Sequence, residues 1–111
     1  MKHDDVVGAC ANWFKSDAHA TLISKGYGRA FPNPDVRIQY QNNSIAFVEC
    51  KPSDAGGREY LTGLGQSLAY LTFGDFSYLA LPEKEMTEYD QYFWIETVGL
   101  LSAKDDMSVQ L

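Results

Sequence analysis

Asp35, Glu49 and Lys51 are the residues whose types and spacing most invite chemistry. Asp35 follows Pro34 at the head of an alternating segment, and Glu49-Cys50-Lys51 ends the apolar run Ile45-Ala46-Phe47-Val48. Two apart on an extended chain, Glu49 and Lys51 point to one face. If Asp35 opens one hairpin strand where Glu49 closes its antiparallel partner, the two carboxylates meet. Two carboxylates and the backbone carbonyl of Cys50 suit a hard, oxygen-preferring ion such as Mg²⁺ or Mn²⁺. Such an ion takes a phosphate oxygen and polarises a bound water, while Lys51 positions that water or offsets charge on the phosphate. The plainer reading is a strand-end ion pair, with Asp35 capping a turn after Pro34. An acid-x-Lys triplet is common and does not choose between the two.

The elements that must hold these groups follow from hydrophobic period. Val6, Cys10, Trp13 and Phe14 make an apolar stripe over residues 4–15, which predicts a helix with Asp4 and Asp5 in its first turn. Residues 21–27 read as a weak strand. Residues 35–40 alternate and 45–50 form a buried run, joined by the polar turn Gln41-Asn42-Asn43-Ser44 as a hairpin. A second helix over 58–73 carries Leu61, Leu64, Leu68 and Leu71 as its expected buried stripe, weakened by Gly63 and Gly65. A strand over 76–81, a third helix over 85–96 and a short edge strand over 98–102 complete the order. The fold class is α/β, a mixed central sheet flanked by helices on both faces.

Gln66 and Tyr70 lie about opposite the leucine stripe of the second helix, on a face that is either solvated or partly covered. With these residues in place, the chain resembles the PD-(D/E)XK nuclease superfamily. There, a Pro-Asp, a variable spacer and a Glu-x-Lys lie on a hairpin after an N-terminal helix. The element order is similar to that superfamily's restriction-endonuclease-like αβββαβ core. Gln66-Ser67-Leu68-Ala69-Tyr70 is similar to the Gln-x-x-x-Tyr motif of its exonuclease and helicase–nuclease branches. The matches span residues 4–81, and residues 1–111 would form a single nuclease-like domain.

The resemblance implies a metal-dependent deoxyribonuclease, acting on branched or single-stranded DNA among other substrates. Asp35, Glu49, Lys51, Gln66 and Tyr70 would be its catalytic residues. Asp35, Glu49, the Cys50 carbonyl and a first-helix acid, Asp5 before Asp4, would hold Mg²⁺ or Mn²⁺. Lys25, Arg29, Arg37 and Arg58 would contact DNA. Small members, such as the archaeal-type Holliday-junction resolvases, act as homodimers, and a viral or mobile-element nuclease is equally compatible with this length. The alternative is an inactive nuclease-like domain that binds DNA or protein.

Charge complicates a DNA role. The 111 residues carry a formal charge of −6, which argues against a non-specific nucleic-acid binder. Residues 1–60, however, hold seven Lys/Arg against seven Asp/Glu, and residues 61–111 hold two against eight. The surplus acid thus lies beyond the proposed catalytic half. No apolar run approaches the roughly 20 residues of a membrane helix, and the acidic N-terminus lacks a signal core, so a cytoplasmic protein is expected. Cys10 and Cys50 form no CxxC and are expected reduced and buried. His3, Cys10, His19 and Cys50 lack the paired spacing of a zinc site.

Overall fold

Val6, Cys10 and Phe14 recur at four-residue intervals, and all three are buried on one face of α1 (His3–Lys15). The helix starts where Asp5 Oδ2 accepts the backbone N–H of Lys2 at 3.0 Å, which satisfies one of the orphan donors of the first turn. The computed structural model describes residues 1–26, 32–93 and 95–111. Strands β1 (Ala20–Lys25), β2 (Val36–Tyr40) and β3 (Ile45–Cys50) follow as an antiparallel meander. Asn43 turns the β2–β3 hairpin at φ +68°, a conformation that Asn tolerates. α2 (Gly57–Tyr70) then crosses to β4 (Phe76–Pro82), parallel to β3. α3 (Glu83–Tyr89) and a 3₁₀ turn (Asp90–Tyr92) lead to β5 (Val98–Ala103), parallel to β4, and β6 (Val109–Gln110) closes the sheet antiparallel.

The result is one six-stranded mixed sheet in sequential order, with α1 on one face and α2 and α3 on the other. Alternation along β3 assigns its side chains. Ala46, Val48 and Cys50 enter the core under α1, whereas Phe47, Glu49 and Lys51 face α2. Among the described residues, no helix is long and apolar enough to cross a membrane.

Three expectations are corrected. The strand over 98–102 is not an edge, because β6 pairs with its far side. The third helix ends at Tyr89 and does not run to residue 96. The buried face of α2 is Tyr60, Gly63, Leu64, Ser67 and Tyr70, leaving Leu61 and Leu68 exposed at 60% and 39%.

The cause of this rotation is the close approach of α2 to the sheet at Gly63. A Cβ there would lie 2.9 Å from Leu79 Cδ1 and 3.1 Å from Lys51 Cε. Ser67 is buried without cost because its hydroxyl donates to the Gly63 carbonyl at 2.9 Å. Gly65, by contrast, is exposed, and a Cβ added there would meet nothing within 4 Å. Gly65→Ala is therefore expected to stabilise the fold by about 1 kcal/mol through helix propensity. Gly63→Val is expected to destabilise it by about 1–3 kcal/mol through overpacking. Urea unfolding of the two variants checks the contrast, and equal effects would refute the close-approach account.

Candidate functional site

The β2–β3 ladder pairs Val36 with Val48 and Arg37 with Phe47. One step further, the same register sets Asp35 opposite Glu49. The backbone agrees with this placement, since the Asp35 N–H donates to the Val48 carbonyl at 3.1 Å. Asp35 Oδ2 accepts the Cys50 N–H at 2.7 Å, which clamps the end of the hairpin. Fully buried Pro34 fixes the chain entering this position.

Glu49 is only 6% exposed. Its Oε1 accepts the Tyr70 hydroxyl at 2.8 Å, and its Oε2 lies 3.7 Å from Lys51 Nζ. Burial, then the charge of Asp35, pushes the Glu49 carboxyl up to about 7, against the downward pull of the Tyr70 hydrogen bond and Lys51. The Tyr70 phenol is also raised, first by its own burial and then by Glu49. Tyr70 reaches this position because it ends α2 with its ring tilted against Phe47, centroids 5.5 Å apart. Lys51 is shared between Glu49 and Glu59, the latter at 3.8 Å from the first turn of α2.

Gln66 stands one helical turn before Tyr70 on the same half-covered face. Its Oε1 is buried and has no hydrogen-bond partner among the described residues. An unmet buried acceptor costs about 1–3 kcal/mol. Asp35 raises the proton affinity of buried Glu49, and a cation held between the two carboxylates would relieve that cost. Among the described residues, no three His, Cys, Asp or Glu side chains gather as a metal-ligand cluster. The oxygen donors available here are the two carboxylates and the Cys50 carbonyl.

The other expected residues divide. Asp5 is exposed and its carboxylate serves the start of α1, so it does not join Asp35. Asp4 is also exposed. His3 takes the place expected of a first-helix acid: with its hydrogen on Nε2, it donates to Asp35 Oδ1 at 3.0 Å. His3, Asp4, Lys25 and Asp35 line a cavity of about 380 Å³. Arg37 lies on the α2 face of β2, two residues along from Asp35. Arg58 is exposed in the first turn of α2. Arg29 lies outside the described residues.

Sequence reasoning missed His3 and Glu59. Each touches the site through a contact that no local spacing encodes. The only hint for His3 was its position beside two acids at a helix start. Cys10 and Cys50 are free and buried as expected. The Cys50 thiol is raised well above its ordinary value, first by a hydrogen bond with Cys10 and then by burial. That keeps it protonated and inert. The role considered for Cys50 belongs to its carbonyl, not its sulfur.

No protein-family model matches the chain, and no curated protein does. Among solved structures, the fold is similar to that of a protein of unknown function from Silicibacter pomeroyi. The two share 19% identity at a TM-score of 0.69, over 99% of this chain and 68% of that one. At that identity the likeness establishes a shared mixed α/β fold.

Proposed function

We propose that this protein is a divalent-metal-dependent DNA nuclease of the PD-(D/E)XK kind. The observation that carries the reading is the meeting of Asp35, Glu49, Lys51 and Tyr70 at the end of the β2–β3 hairpin. Tyr70 comes from a helix 21 residues beyond Glu49 in sequence. The meander β1–β2–β3, the α2 crossover and parallel β4 also match the order expected of a restriction-endonuclease-like core.

In this reading Asp35, Glu49 and the Cys50 carbonyl hold Mg²⁺ or Mn²⁺, with His3 beside them. A divalent ion held there would supply charge compensation for the scissile phosphate and would acidify a water. Tyr70 fixes Glu49 by its hydrogen bond. His3 and the Cys50 N–H fix Asp35 through its two oxygens. Lys51, held between Glu49 and Glu59, presents an ammonium to charge building on the phosphate. Gln66 Oε1, which lacks a partner among the described residues, would be open to a hydrogen bond from a water of the site. Lys25, Arg37 and Arg58 supply positive charge for the backbone of the DNA. A second copy of the chain belongs to the proposal.

The test is Mn²⁺-dependent cleavage of single-stranded, duplex and branched DNA. Asp35→Asn and Lys51→Met are each expected to lower the rate about a hundredfold or more. Absence of cleavage by the wild type, or variants as active as the wild type, would sink the proposal. DNA binding without cleavage would favour the alternative of a nuclease-like binding module.

A further inference from the structure

Away from this site, Glu85 is a buried acid in the first turn of α3. It is 6% exposed, and its Oε2 is buried with no hydrogen-bond partner among the described residues. A carboxyl taken from water without a donor is strongly disfavoured. The Tyr60 phenol cannot supply one. The Tyr60 hydroxyl already donates to the Pro52 carbonyl at 2.8 Å and accepts the Ala55 N–H at 3.2 Å.

Glu85 lines a pocket of about 230 Å³ together with Asp54, Glu88, Lys84, Tyr60 and Tyr89. Three carboxylates therefore face one lysine. Two aromatic rings, their centroids 5.1 Å apart, form part of the wall. Carboxylates in excess over ammonium groups attract a cation, and one with N–H donors gains charge-assisted hydrogen bonds. The pocket is smaller than the cavities that hold drug-sized ligands, and it suits a group the size of one side chain.

We propose that this pocket binds an organic cation bearing N–H donors, an alkylammonium or alkylguanidinium group, with the Glu85 carboxylate as its buried counter-charge. The inference stands apart from the nuclease reading. Calorimetric titration of the 111-residue chain with agmatine is expected to give saturable binding. A short arginine-containing peptide forms the second arm, and the tighter of the two identifies a free amine or a protein side chain as the source. Glu85→Gln is expected to weaken binding at least about tenfold, and the exposed pair Asp54→Asn with Glu88→Gln several-fold. Tetramethylammonium, which has charge but no N–H, is expected to bind at least about tenfold more weakly. Thermal shifts report the same order, and circular dichroism of the variants guards against loss of fold. No saturable binding in either arm, equal affinity in Glu85→Gln, or equal affinity for tetramethylammonium would overturn the proposal. Ca²⁺ or Mn²⁺ bound at Glu85 in place of agmatine would do so too.

Discussion

Glu49→Gln is expected to lower metal-dependent DNA cleavage about a hundred- to a thousandfold and, at the same time, to make the metal-free protein more stable near neutral pH. The first effect follows if Glu49 is one of two carboxylates that hold the ion and shape transition-state charge. The second follows from its surroundings. Glu49 is buried, and its burial and the charge of Asp35 oppose its ionisation more than Lys51 and Tyr70 support it, since the carboxyl is pushed up to about 7. Glutamine keeps an acceptor for the Tyr70 hydroxyl and removes the buried charge. A gain of about 1–2 kcal/mol is expected. If Glu49 were only the partner of Lys51 at a strand end, the same change would leave an ammonium that is 15% exposed with Glu59 alone and would destabilise the protein. Chemical unfolding in EDTA at about pH 8, beside a cleavage assay with Mn²⁺, separates the two accounts. A destabilised, fully active variant would rule out the site.

The metal-free protein is also expected to lose stability as pH rises from mildly acidic to mildly basic. Folding raises the Glu49 pKa from its ordinary 4.5 to about 7. Between those values the folded chain holds a proton that the unfolded chain has released. This contribution is fully present below the unfolded pKa and is lost as pH rises through the folded one. From about pH 5.5 to about pH 8 the loss amounts to about 2 kcal/mol. Glu49→Gln should flatten this part of the profile. A divalent ion added near pH 8 should restore the stability by binding the folded form alone. Urea midpoints across this range, for wild type and Glu49→Gln in EDTA and in Mn²⁺, measure all three. Parallel profiles for the two proteins would show that Glu49 does not set the pH dependence.

Much of this architecture is written locally. The four-residue period of Val6, Cys10 and Phe14 marks α1, and the alternation of Val36, Arg37 and Ile38 marks β2. The apolar run before Glu49 marks β3, and the polar turn between them forces a hairpin. Because side chains in strands alternate strictly, these facts alone bring Asp35 opposite Glu49 and place Lys51 on the same face. The leucine stripe of α2 misled for a physical reason. Burial of a helix face depends on how closely its backbone approaches the sheet, and small residues permit the closest approach. Gly63 and Ser67 therefore face inward while Leu61 and Leu68 stay in water. Hydrophobicity summed along one helix does not register that geometry.

Most of the elements and the hairpin register could be read from the chain alone, because both depend on periods and turn residues within a few positions, whereas the end of α3 and the pairing of β6 could not. Which groups close on that hairpin was left to tertiary packing. Tyr70 reaches Glu49 across 21 residues and His3 reaches Asp35 across 32, contacts fixed by the packing of α2 and α1 on opposite faces. Packing also set the charge state of Glu49, since desolvation depends on what covers a group, and a sequence position carries no burial of its own.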